Sequence, residues 1–372
     1  MIDPRAFLAA LRTHGVDYYA GVPDSLLKEL TACIARRCAP GEHLIAANEG
    51  GAVAAAIGHH LATGRVALVY MQNSGLGNAV NPLLSLADPE VYAIPMLLVV
   101  GWRGEPGTRD EPQHRRQGAV TLALLEAMQI PYTVLDARTL DAGAVVGGIL
   151  SQPLTGPHAL VVRAGSFSVD PGAAPPVPGA SLTREGAIGI IAQRIASNAV
   201  VVATTGMISR ELYEQRTRRG QAHERDFLVV GGMGHAAQIA QVIAAHRPAR
   251  EVWCLDGDGA LLMHMGSLGI IASGGTANFR HVVLNNGAHE SVGGQPTVAF
   301  SIDLPALARA AGYASASRAD DDEELNRQLD ELRGRSGPAL LEVRVATGHR
   351  ADLGRPRYTL AEHKRAFMRQ LR

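Results

Sequence analysis

Short apolar runs rich in β-branched residues alternate with longer helical patterns along the whole chain, and this alternation limits the fold more than any single motif does. In the first half the runs are VDYYAGV, HLIAA, RVALVYM, PMLLVVG, PYTVLD and HALVVRA; in the second they are AVVVATT, FLVVGG, EVWCLDGDG, RHVVLNN and ALLEVRV. Strands separated by helical stretches imply βαβ crossovers, and therefore parallel sheets covered by helices on both faces. The pattern breaks at SFSVDPGAAPPVPGASL, residues 166–182, where Pro, Gly, Ser and Ala gather without hydrophobic periodicity. The expected fold is α/β: two doubly wound parallel-sheet domains, 1–165 and 183–372, joined by a linker over 166–182 with no middle domain.

The 372 residues are enough for two domains that each bury a core. With 35 Lys and Arg against 35 Asp and Glu, the chain has no global attraction to nucleic acid or to an anionic membrane. Cys33, Cys38 and Cys254 lack CxxC spacing, and no apolar run reaches the roughly 18 residues of a membrane span. The chain therefore reads as cytoplasmic, with no nucleic-acid or membrane partner. Its start, with Asp3 as cap, Pro4 in the first turn and Gly15 as stop, reads as a helix of the folded domain rather than a leader.

In open parallel sheets ligands sit beyond the carboxyl ends of strands, so the residues just after each strand are searched first. One strand of the second half runs into Gly257, Asp258 and Gly259, and about 25 residues later another ends in Asn285 and Asn286. That gap suits one helix and a return to the neighbouring strand, which sets a carboxylate beside a side-chain amide at one sheet edge. Both are hard oxygen donors of the kind Mg²⁺ or Ca²⁺ selects, and the flanking glycines let a diphosphate approach the backbone. Either motif alone is a common turn; their spacing after two strands is what points to a site.

With GDG, this gap and NN, the chain resembles the thiamine diphosphate enzymes. The resemblance implies two domains of the thiamine diphosphate-binding type: a pyrimidine-binding domain over 1–165 and a diphosphate- and Mg²⁺-binding domain over 183–372. Asp258 and Asn286 would ligate Mg²⁺ by their side chains and Ala288 by its backbone oxygen, holding the diphosphate between Gly257 and Gly259. In VVGGMGHA, Met233 would prop the cofactor in its bent form, with the Gly231 carbonyl near its amino group; Thr205 and Gly206 of ATTGM would add diphosphate contacts. A carboxylate from the first half should hydrogen-bond the pyrimidine ring, and Glu49, which closes a strand and opens a Gly/Ala-rich helix, is the candidate. Family members set the pyrimidine domain of one subunit against the diphosphate domain of another, which implies a homodimer or higher homo-oligomer with active sites at the subunit interface.

Three segments, GVPDSLLKEL, WRGEPGTRDEPQHRRQG and NNGAHESVGGQPT, are similar to those of the phosphonopyruvate decarboxylases of this family, and that resemblance runs nearly end to end. It implies decarboxylation of 3-phosphonopyruvate in phosphonate, including antibiotic, biosynthesis. The expected partner is a small 2-oxo acid bearing a phosphonate. The middle segment gathers Arg103, Arg109, His114, Arg115 and Arg116 on an expected loop, and guanidinium forks suit a phosphonate or sulfonate. Asp24 and Ser25 follow the first strand and either cap a helix or act in catalysis; near an anionic substrate Asp24 suits proton transfer rather than anion binding. His289 and Glu290 follow the metal asparagine and could face the reacting carbon. Sulfopyruvate decarboxylase is the nearest alternative. A noncatalytic cofactor-binding module would lack Glu49, Asp258 or Asn286, and a dinucleotide dehydrogenase would need a glycine fingerprint where GVPDS stands.

Overall fold

The computed structural model describes residues 1–139, 141–170 and 180–371. It holds two compact units, one of Met1–Ala174 with Ser291–Gln295 and one of Pro175–Glu290 with Pro296–Arg372.

The first unit is built on a six-stranded sheet of β1 (Tyr19–Gly21), β2 (His43–Ile45), β3 (Ala67–Gln72), β4 (Met96–Gly101), β5 (Tyr132–Leu135) and β6 (Pro157–Val162) in the order β2-β1-β3-β4-β6-β5. Every pairing in it is parallel. Strand β4 is a continuous apolar run because both its faces are covered. In β3, Leu68 and Tyr70 enter the core on one side of the sheet while Val69 and Met71 enter the other.

The second unit holds β7 (Val200–Ala203), β8 (Asp226–Leu228), β9 (Val252–Gly257), β10 (Phe279–Asn285), the two-residue strands β11 (Ala288–His289) and β12 (Gln295–Pro296), the first of these alone lying wholly within the unit, then β13 (Ser315–Ala319) and β14 (Ala339–Arg344). Its sheet has the order β13-β14-β10-β9-β7-β8, again all parallel. Numbered within its own sheet and taken from the β8 edge, this is 2-1-3-4-6-5, the order of the first unit. Both sheets therefore reverse direction at the same place, between β1 and β3 and between β7 and β9, where open sheets leave a crevice for ligands.

Four local expectations change. The stretch after Asp258 folds as two short helices, Asp258–Met263 and Ser267–Ser273, because the chain leaves helical geometry at His264; β10 still returns beside β9. The arginine-rich segment is a loop only as far as Glu111: Pro112 starts a helix that runs to Ala127, so His114, Arg115 and Arg116 are helical. Pro at the first helical position has the φ the helix requires and lacks the N–H that would go unbonded there. Strand β13, SASRA, has no apolar alternation to announce it, and it pairs on one side only. Of the segment read as linker, residues 171–179 lie outside the described residues, while its ends are built into the units. Phe167 bridges Ile2 and is buried, the Asp170 carboxylate accepts from Arg36, and Leu182 is buried just before Thr183 bridges Ala346. Among the described residues no helix is long and apolar enough to cross a membrane.

Candidate active site

In the first unit the chain ends of β1, β2, β3 and β4 carry the polar residues. Glu49 is the first residue of the helix Glu49–Thr63, whose N-cap Asn48 accepts from the Gly51 N–H at 2.9 Å. Its side chain is buried, and Asn78 Nδ2 donates to its Oε2 at 2.7 Å. A Cβ on Gly75 would lie 2.4 Å from Glu49 Oε1, so a glycine at that turn is what lets the carboxylate occupy its place. Asp24, just past β1, is fully buried; its Oδ2 accepts from the Leu26 N–H at 3.1 Å, and among the described residues its Oδ1 has no hydrogen-bond partner. Burial pushes its carboxyl up to about 6, against the opposing pull of backbone N–H groups and of the Arg103 charge. Gly101, at the end of β4, leaves room for it: a Cβ there would stand 2.2 Å from Asp24 Oδ2.

Arg103 does not extend freely from its loop. It forks onto Asp110 at 2.6 and 2.8 Å, and its third nitrogen donates to Ser25 Oγ at 2.7 Å. Asn73, after β3, fixes the backbone there by donating to the Arg103 carbonyl at 2.9 Å. Thus Ser25, Asn73, Arg103 and Asp110 form one hydrogen-bonded group, with the Arg103 charge acting on neighbouring Asp24. His114 is half-buried, and burial followed by the Arg103 charge holds its imidazole below the ordinary range. Arg109 and Arg115 are exposed.

In the second unit Asp258 opens the helix after β9 and Asn286 follows β10, the strand beside β9. Both are buried. Burial raises the Asp258 carboxyl to about 6, opposed by the Thr297 hydroxyl and by backbone N–H groups. Thr297 Oγ1 donates to Asp258 Oδ2, and among the described residues no basic side chain is paired with this carboxylate. Asn286 Nδ2 donates to Glu290 Oε2 at 2.9 Å and the Ala288 N–H donates to Asn286 Oδ1 at 3.1 Å. Oxygen donors at two adjacent strand ends, one of them a buried carboxylate without a counter-charge, fit a hard divalent cation. Gly257 and Gly259 flank Asp258, and the His289 ring lies close to the chain there, its Nδ1 3.2 Å from where a Gly259 Cβ would be. Burial lowers His289 to about 4, so it is a neutral imidazole near pH 7.

Thr205 Oγ1 accepts from the Gly231 N–H at 3.1 Å, tying the end of β7 to the turn after β8. Gly206, Gly231, Gly232 and Gly234 all have positive φ, a backbone path that side-chain-bearing residues rarely take. Met233 stands within this turn, half-buried rather than in the core.

Glu290 is not free to face a reacting carbon. Arg184 Nη1 donates to its Oε2 at 2.7 Å, and His349 Nδ1 lies 2.8 Å from its Oε1. Three further residues lie outside the motifs read from the sequence: Gly75 and Asn78, which define the place of Glu49, and Arg184, more than 100 residues from Glu290 in sequence; Thr297, which holds Asp258, closes the segment NNGAHESVGGQPT but had no role assigned there. For Gly75 and Asn78 the available signal is the QNSGLGN run, a polar and glycine-rich stretch directly after a strand. A third buried group, Cys254, Asp256 and His281, brings its possible ligand atoms within 4.8 Å of one another. Both His281 nitrogens already face protein groups, Asp256 Oδ2 at 3.4 Å and the Tyr313 hydroxyl at 3.1 Å, so this is a polar network of the core.

Residues 4–124 match the N-terminal TPP binding domain of the thiamine pyrophosphate enzymes, and residues 202–343 match their C-terminal TPP binding domain. The phosphonopyruvate decarboxylase of Streptomyces viridochromogenes is 35% identical over 99% of this chain and 94% of its own. That of Streptomyces hygroscopicus is 36% identical over 99% and 93%. The sulfopyruvate decarboxylase of Methanosarcina acetivorans is 28% identical over 84% of this chain and 83% of its own.

Proposed function

The chain belongs to the phosphonopyruvate decarboxylase family of thiamine pyrophosphate enzymes, and we propose that it is a carbon-carbon lyase converting 3-phosphonopyruvate to phosphonoacetaldehyde and CO2 with thiamine diphosphate and Mg²⁺. The observation that carries this reading is kinship over nearly the full length of both chains, in a sequence that carries Glu49, Asp258 and Asn286. The reaction belongs to phosphonate biosynthesis and the cytoplasm is its natural compartment.

Thiamine diphosphate supplies the carbon nucleophile and the electron sink that a 2-oxo acid needs in order to lose CO2. The residues of this chain bind, orient and move protons. Asp258, Asn286 Oδ1 and the Ala288 carbonyl would hold Mg²⁺, while Thr205, Gly206, Gly257 and Gly259 would receive the diphosphate. Met233 and Gly231 would support the cofactor's rings, and Glu49, steadied by Asn78, would hydrogen-bond the pyrimidine. Arg103 is the leading phosphonate ligand because its orientation is already fixed by Asp110 and Ser25; Arg109, His114 and Arg115 would complete the anion site. Asp24, whose raised pKa lies close to working pH, is assigned to proton transfer. His289, neutral and seated beside Gly259, would contact substrate or cofactor. Glu290 is assigned to positioning, since its carboxylate is already spoken for by Arg184.

The test is CO2 release by purified protein with thiamine diphosphate and Mg²⁺, offered phosphonopyruvate, sulfopyruvate and pyruvate in parallel, with the aldehyde followed by phosphorus NMR. Preference for phosphonopyruvate is expected. Preference for sulfopyruvate would move the assignment to the second reading, which the relative in Methanosarcina acetivorans supports. Glu49→Gln should retain cofactor binding and lose most turnover; full activity in that variant would end the role given to Glu49.

A further inference from the structure

We infer that Arg184 is a positioning residue for the metal: it anchors Glu290 so that the amide of Asn286 is locked with its oxygen, not its nitrogen, available to a cation. The inference rests on the reading of Asn286 as a Mg²⁺ ligand. An asparagine side chain has two ends of nearly equal size, and only its hydrogen-bond partners decide which end points where. Here two partners agree. The Glu290 carboxylate, which can only accept, takes the Asn286 Nδ2 donor at 2.9 Å, and the Ala288 N–H, which can only donate, meets Oδ1 at 3.1 Å. Turning the amide over would set oxygen against carboxylate and N–H against N–H.

The selection is only as firm as the carboxylate, and the carboxylate is held from behind. Arg184 is 5% exposed and its guanidinium spans two acids: Nε and Nη2 donate to Glu211 at 2.8 Å each, and Nη1 donates to Glu290 Oε2 at 2.7 Å, the same oxygen that receives Asn286. Arg184 is itself pinned. It is the first residue of the helix Arg184–Arg194, whose N-cap Thr183 accepts from the Gly186 N–H at 3.1 Å and pairs with Ala346. Its planar fork can meet both carboxylates at once, which a lysine ammonium does less well. Partners one bond beyond a metal's ligands commonly change metal affinity by about 10–100-fold when removed.

The experiment measures the Kd of Mn²⁺, by its free-ion EPR signal in the presence of saturating thiamine diphosphate, for the wild type, Arg184→Met, Arg184→Lys, Glu290→Gln and Asp258→Ala. Arg184→Met is expected to raise Kd by about 10–100-fold, Arg184→Lys by less, and turnover in both should recover as Mg²⁺ is raised. Because bound metal also stabilises the folded state, circular dichroism of each variant without metal accompanies the titration, and recovery in a variant already folded without metal assigns the loss to affinity. Wild-type Mn²⁺ affinity in a folded Arg184→Met variant, with affinity lost in Asp258→Ala, would overturn the role of Arg184 and leave the metal site standing. Wild-type affinity in Asp258→Ala would instead remove the metal site, and this inference with it. If Arg184→Met does not fold, Glu290→Gln decides: it keeps the volume and the Arg184–Glu211 pair but offers Asn286 an end that can itself turn over, so Kd should rise, and an unchanged Kd would overturn the inference.

Discussion

Asp24 is the residue whose chemistry can be tested in the folded protein without any ligand. Burial pushes its carboxyl up to about 6, above the ordinary aspartate range, because the charged form is costly where no water reaches it. A group whose pKa is raised on folding favours the folded state while it is protonated, and that advantage disappears as pH rises through its folded pKa. The wild type is therefore handicapped above pH 6 relative to a neutral isostere, by at most about 3 kcal/mol. Asp24→Asn should melt higher than the wild type at pH 8, with the difference vanishing towards pH 4, while turnover falls by about 10²–10⁴-fold if Asp24 moves a proton. A melting difference that is the same at every pH would show that buried charge is not its cause. Asp24 could be picked out from GVPDS, but its burial could not, because burial depends on Gly101, 77 positions away. The same holds for the candidate metal site: Asp258 and Asn286 lie in short motifs after strands, whereas the bonds that Arg184 and Thr297 make to this group are met only in the folded chain.

Turns and helix ends decide whether these side chains arrive where they can act. Gly75 has ordinary helical φ, so alanine there is compatible with the backbone; the obstacle is Glu49, whose Oε1 and Cγ would lie 2.4 and 2.5 Å from the new Cβ. Gly75→Ala should thus keep the melting temperature near that of the wild type and cost about 10²-fold in turnover, the usual consequence of displacing a reacting group by about an ångström. A variant of undiminished activity would mean that Glu49 does not need its present position. The helix Leu360–Gln370, which carries none of the candidate site residues, is closed by a reciprocal cap in which Thr359 and Glu362 each bond the other's backbone. Thr359→Ala should cost about 1 kcal/mol in chemical denaturation and leave turnover unchanged. Elements were legible where burial imposes a strong pattern, as in PMLLVVG and RHVVLNN. They were not legible where an edge strand carries polar side chains, as in SASRA, or where one proline inside a charged segment starts a helix, as at Pro112.

The two units repeat one strand order, and the candidate functional residues are divided between them. Glu49, Asp24 and Arg103 belong to the first unit, Asp258, Asn286 and Met233 to the second. The resemblance to the thiamine diphosphate enzymes implies that the pyrimidine half of one subunit meets the diphosphate half of another, and that expectation makes a quantitative prediction here. Glu49→Gln and Asp258→Ala should each be nearly inactive alone. In a mixed dimer one site collects both lesions and the other collects none, so equal amounts of the two, unfolded and refolded together, should recover about a quarter of wild-type turnover through random pairing. Sites completed within a single chain would recover nothing, since every site would carry one lesion. The assay is turnover of phosphonopyruvate by the co-refolded mixture, with sedimentation of the same sample to show that the copies associate. Activity near a quarter would place two copies in each active site, and its absence in an associated sample would place each site within one chain.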